Sequence, residues 1–80
     1  MNIAAELERK LTGSEFNLVA YYIYKASDAY DDERYTQARE SLLDAIAVAQ
    51  QNGEYNAAGK IQYYLRFCWD SKIRNLDGVC

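Results

Sequence analysis

Apolar residues recur along this chain at spacings of three and four, and breaks in that rhythm divide it into four segments. The clearest is Tyr35 to Gly53, YTQARESLLDAIAVAQQNG, where Tyr35, Ala38, Leu42, Ala45 and Ala49 fall on one helical face. Ile46 widens that face, while Thr36, Gln37, Glu40 and Asp44 occupy the other. Asn52-Gly53 predicts the stop, because glycine takes the left-handed conformation that closes a helix end. The alanines on the stripe let neighbouring helices approach closely.

Residues 2–11, NIAAELERKL, predict a short helix with Ile3, Ala4, Leu7 and Leu11 on one side. Alone it is marginal, so it must dock. Thr12 and Glu15 then form a capping box, and Leu11 with Phe16 the accompanying hydrophobic staple, which starts a second helix near Gly13. That helix runs to about Asp31 with Phe16, Val19, Ile23, Ala26 and Tyr30 inward. Leu18, Tyr22 and Ala29 extend its apolar arc to roughly 200°, at about 100° per residue. Asn17, Tyr21, Tyr24, Lys25 and Asp28 are left for solvent. So wide an arc predicts burial on two sides, or one buried side and one binding side.

Residues 31–34, DDER, read as an acidic turn, with Asp32 as N-cap of the third helix and Glu33 in its first turn. After Gly53 a last helix carries Ala58, Ile61, Leu65, Cys68, Trp69 and Leu76 inward. Tyr63 and Phe67 lie on another side, one turn apart, among Lys60, Arg66, Asp70 and Arg74. The tail, DGVC, is expected to fray. The prediction is an all-α fold, a compact antiparallel bundle with helices at about 2–11, 13–31, 33–52 and 54–76, in a single domain over 1–80.

Two patterns cross these segments. ERYTQA (33–38) and GEYNAA (53–58) both place Tyr-x-x-Ala at the start of a helix after a turn, twenty residues apart. Over residues 22–45, Tyr22, Ala26, Tyr35, Ala38, Leu42 and Ala45 match the aromatic, small, aromatic, small, large and small positions of a tetratricopeptide repeat, which the stretch resembles. Lys25 and Ala29 depart from that pattern, and the closing proline is missing. What the resemblance implies is an antiparallel helical hairpin.

Composition narrows the function more than the fold. The chain has 80 residues, half of them hydrophobic, with eight tyrosines, two phenylalanines and one tryptophan. Tyrosine covers half-buried area readily, so the excess fits a small domain with much of it. Net charge is −3, which disfavours direct nucleic-acid binding. No stretch approaches the roughly 20 apolar residues of a membrane span, and residues 1–15 lack the apolar run of a signal peptide. Cys68 and Cys80 make no disulfide framework and no metal pair, so the expected setting is reduced and cytoplasmic.

Catalytic groups are scarce. Histidine, the commonest general base, is absent. Cys68 falls on the apolar stripe, away from the electropositive setting a cysteine nucleophile needs, and Cys80 reads as a free terminal thiol. The basic residues Lys60, Arg66, Lys72 and Arg74 would suit a DNA-reading helix, but Asp70 and Asp77 interrupt them. Two clusters remain as candidate partner-binding residues. One is acidic: Asp28, Asp31, Asp32 and Glu33, without the alternating oxygen ligands and glycine of a calcium loop. The other is aromatic: Tyr21, Tyr24, Tyr63 and Phe67, off the main stripes of their helices.

The expected function is therefore non-enzymatic binding of a partner protein, as an adaptor or stoichiometric inhibitor, with no cofactor and no metal. One competing expectation is mimicry of nucleic acid by the acidic cluster, as in small acidic viral inhibitors of restriction or CRISPR systems. A homodimer or larger homo-oligomer paired through the tyrosine face is the other.

Overall fold

The computed structural model describes residues 3–73, apart from the side chain of Ser71. Its helices are α1 (Ile3–Lys10), α2 (Gly13–Asp31), α3 (Tyr35–Gln51) and α4 (Tyr55–Tyr63), the last continued by a π-helical turn (Tyr64–Cys68) and α5 (Trp69–Ile73). No strand occurs among the described residues. This is the all-α antiparallel bundle expected from the apolar rhythm. Leu76, expected on the last stripe, and Cys80 lie outside the described residues.

α2 and α3 form one antiparallel hairpin and α3 and α4 the next, so α2 runs parallel to the final rod. Two cross-contacts fix that direction. Near the starts, Lys60 Nζ lies 3.0 Å from Glu15 Oε1; near the ends, the Tyr30 and Trp69 rings stand 6.0 Å apart. α1 packs on α2 and contributes Ile3, Ala4 and Leu7 to the core. Leu42, from the middle of α3, is fully buried with Ala38, Ala45 and Ala49 along the same stripe. The radius of gyration, 11.5 Å, matches the value of about 12 Å for a compact chain of this length.

The α1–α2 junction follows the capping box. Thr12 N–H donates to Glu15 Oε1 at 2.9 Å, and Glu15 N–H donates to Thr12 Oγ1 at 3.3 Å. Leu11 and Phe16 are both buried beside it.

The other two turns have one geometry. After α2, Glu33 N–H donates to Tyr30 O and Arg34 N–H to Ala29 O; after α3, Gly53 N–H donates to Gln50 O and Glu54 N–H to Ala49 O. Both are Schellman closures, each with one residue in the left-handed region: Glu33 at φ 62° and Gly53 at φ 74°. The twenty-residue sequence echo is thus a repeated turn. Asp32 is consequently the C-cap of α2, not an N-cap. α3 starts at Tyr35, two residues later than expected, behind Arg34, which makes no side-chain capping bond. The Schellman turn claims Asp32 and Glu33 for the outgoing helix.

The last helix departs from the expected stripe in the π turn, where Trp69 N–H donates five residues back to Tyr64 O. A π turn adds a residue to the helical period and so rotates the faces that follow it. Tyr64, at the start of that turn and three residues after Ile61, is fully buried, whereas Leu65, expected inward, is only half-buried. Cys68 and Trp69 remain buried as expected. Cys68 is disulfide-bonded, however, so it is no free thiol.

Candidate functional site

Three groupings of side chains bear on function. The first is aromatic and exposed. Tyr21, Tyr24, Tyr55, Tyr63 and Phe67 are 51–70% exposed, and Leu43 is 41% exposed. Tyr21 and Tyr24 stand on α2 opposite its buried arc. Tyr24 meets the edge of Phe16 at 5.8 Å between centroids, and Tyr21 meets Tyr22 at 5.1 Å with the Lys25 ammonium 5.4 Å from its ring. On the final rod Tyr63 and Phe67 pair at 4.6 Å, and the Arg66 guanidinium lies 5.9 Å from the Phe67 ring. No ring contact joins the α2 tyrosines to Tyr63 and Phe67 among the described residues, so the expected aromatic cluster is two surfaces.

Tyr55 was missed by the sequence reading. It follows the repeated turn as Tyr35 does, yet Tyr35 is half-buried and Tyr55 exposed. Tyr55, Gly59 and Tyr63 fall at i, i+4 and i+8, on one line along α4. With Lys10, Asn56 and Lys60 they line a cleft of about 530 Å³ between α1 and α4.

The second grouping is acidic. Asp28, Asp31, Asp32 and Glu33 are all exposed at the α2–α3 turn. Asp32 pairs with Arg34 at 3.2 Å, and both side chains are open to solvent. Asp28 faces a polar groove between α2 and α3 where Lys25 and Arg34 accompany Glu40 and Asp44, so this surface is mixed in charge. No group of three or more metal-ligating side chains comes together among the described residues.

The third grouping is part-buried, polar and absent from the sequence reading. Tyr64 Oη donates to Glu6 Oε2 at 2.7 Å, and Lys72 Nζ donates to Glu6 Oε1 at 2.6 Å. Tyr30 Oη donates to Lys72 O at 3.1 Å, with the Lys72 ammonium 5.5 Å from the Tyr30 ring. Burial pushes the Tyr64 hydroxyl well above its ordinary value, and the hydrogen bond to Glu6 adds to the effect. Tyr30 is raised too, first by burial and then by the negative charges of Glu6 and Asp31. These groups tie α1, α2 and the final rod together. Their role is to hold helices in register. No spacing rule marks Glu6 as their centre, because its partners lie 58 and 66 residues away.

Two of the four cations of the last helix are held by carboxylates. Lys60 pairs with the buried Glu15 but stays 40% exposed, whereas Lys72 is withdrawn from the surface by its pairing with Glu6. Arg74 lies outside the described residues. No family model, curated protein or solved structure matches the chain. No helix among the described residues is long and apolar enough to cross a membrane.

Proposed function

We propose that this protein acts without catalysis, by docking a partner protein on its exposed aromatic side chains as an adaptor or stoichiometric inhibitor. One observation carries the reading: five large aromatics stand more than half exposed on a chain that has already built its core from other residues. Aromatic side chains are costly to leave in water and are the commonest anchors of protein interfaces. The polar groups that are buried are engaged in holding helices together, which leaves the surface to carry the function.

The acidic turn supports a second reading, mimicry of nucleic acid by Asp28, Asp31, Asp32 and Glu33. Glu33 holds a left-handed φ that favours glycine, so an exposed carboxylate stands there at a cost in stability. Against mimicry, Asp32 is paired and Lys25 and Arg34 share the groove with Asp28. A cytoplasmic setting has the sparse cysteines in its favour. The disulfide at Cys68 weighs against it, since disulfides persist in oxidising compartments.

Affinity capture from native, unreduced lysate with mass spectrometry tests the proposal. The parent should retain one partner in stoichiometric amount, and a Tyr63→Ala, Phe67→Ala, Tyr24→Ala variant should lose it. Retention by that variant would contradict docking on the aromatics. A parent that runs at twice 9.2 kDa or more, alone, would favour the homo-oligomer.

A further inference from the structure

The two exposed aromatic surfaces differ in their charged surroundings, and the difference says what the surface on the final rod would take. On one flank of that rod the cleft against α1 is lined by Lys10 and Lys60 beside Tyr55 and Tyr63. On the other flank a groove of about 270 Å³ against α3 is lined by Arg39 and Arg66 beside Leu43, Ile46 and Leu65. Neither lining includes a carboxylate, although the chain as a whole is acidic. Lys10 and Arg39 make no ion pair among the described residues. Lys60 is held by Glu15, which is itself buried, and keeps 40% of its side chain in solvent. Its ammonium is thereby fixed in place with donors to spare.

Gly59 adds a second feature. It sits inside an exposed helix, where glycine costs about 0.5–1 kcal/mol relative to alanine. The fold does not require it: its φ is not positive, and an added Cβ would meet nothing within 4 Å. Its effect is on the surface. Tyr55 and Tyr63 stand one turn to either side, about 12 Å apart along the axis, and the bare backbone between them leaves a slot.

Resting on the docking reading above, we infer that the outer face of α4 and the π turn binds an acidic protein segment that carries a large apolar side chain. The apolar side chain enters the slot over Gly59 between Tyr55 and Tyr63. Carboxylates on either side of it meet Lys10 and Lys60 on one flank, and Arg66 and Arg39 on the other. The aromatic walls supply affinity by desolvation, and the cations supply orientation and rule out basic partners.

The test uses the full chain and a phage-displayed library of short random peptides. Peptides enriched on the parent should be rich in aspartate and glutamate around one leucine, phenylalanine or tryptophan. The best of them is then titrated by fluorescence anisotropy against Tyr24→Ala and three further variants. Gly59→Gln fills the slot with a good helix former, and Lys10→Glu inverts a flank; each should weaken binding about tenfold or more while thermal unfolding shows the fold intact. Asp31→Asn, Asp32→Asn, Glu33→Gln should bind as the parent does. Enrichment of basic peptides, or indifference to both Gly59→Gln and Lys10→Glu, overturns the inference. Binding that survives Gly59→Gln and is lost with Tyr24→Ala also overturns it, but leaves docking on the aromatics standing. A parent that sediments as a dimer, and a Gly59→Gln variant that is monomeric, would make the occupant a second copy and overturn the inference as well. Failure to enrich any peptide, with no partner captured from lysate, would sink both readings.

Discussion

Glu33 and Gly53 occupy the same place in two turns with the same hydrogen bonds, and only one of them is a glycine. A side chain at φ 62° crowds its own carbonyl by about 1–2 kcal/mol, and glycine would return about 0.5–1 of that in chain entropy. Glu33→Gly should therefore stabilise the protein by about 0.5–1 kcal/mol in denaturant unfolding. A loss of stability would mean that the carboxylate itself supports the turn. Glu15 offers a residue-level test by pH. Its carboxyl is held below the usual value, first by the Thr12 N–H and then by the Lys60 ammonium, with burial opposing both. A depressed carboxylate stabilises the fold fully above its unfolded pKa, about 4.3, and the contribution is lost as pH falls through the lower folded value. Glu15→Gln should lower stability near pH 7 and flatten the acid limb between pH 4.3 and the onset of acid unfolding, measured as midpoint against pH. An unchanged acid limb would assign it to other carboxylates. Both residues were legible in part. S/T-x-x-E spacing is local, so Thr12 and Glu15 were read correctly. Nothing local marks Glu33 as left-handed, because that conformation is set by the closure onto Ala29 and Tyr30.

At the scale of elements, periodicity located the four helices, and its errors sit at the α2–α3 turn and in the choice of Leu65 over Tyr64. The rhythm of α3 is unbroken, and Leu42 at its centre is fully buried. Leu42→Ala should cost about 2–5 kcal/mol, a large share of what so small a fold possesses, and lower the melting temperature by many degrees. A variant that melts within a degree or two of the parent would contradict the packing of α3. In the last helix a fixed step of 3.6 residues carried Leu65 inward and left Tyr64 out. Tyr64, three residues after Ile61, lies within the same α-helical spacing, and what selects it over Leu65 is tertiary. Its hydroxyl reaches Glu6 on α1, a partner no window along the last helix contains. The repeated turn shows the opposite case. Its echo over twenty residues was visible in the letters, and the backbone bonds gave that echo a geometric meaning.

For the molecule as a whole, the site was less legible than the fold. Off-stripe position identified Tyr21, Tyr24, Tyr63 and Phe67 as aromatics left at the surface, and all four are exposed. Periodicity alone could not say that they divide into two surfaces, nor that Tyr55 and Gly59 join the second. Those facts depend on α1 lying beside α4, which only the packed bundle provides. The acidic turn is exposed as expected, but the salt bridge and neighbouring cations dilute it. The two candidate surfaces respond differently to salt. Desolvated aromatics are nearly indifferent to it, whereas attraction between exposed charges reaches only about 8 Å at 0.15 M and 3 Å at 1 M. With a captured partner in hand, the decisive measurement is its dissociation constant from the parent, from Phe67→Ala and from the combined Asp31→Asn, Asp32→Asn, Glu33→Gln variant at low and high salt. Phe67→Ala should weaken binding by about 1 kcal/mol or more at both salts, and the acidic variant should change little. A partner whose binding collapses in the acidic variant and is untouched by Phe67→Ala would contradict docking on the aromatic surface.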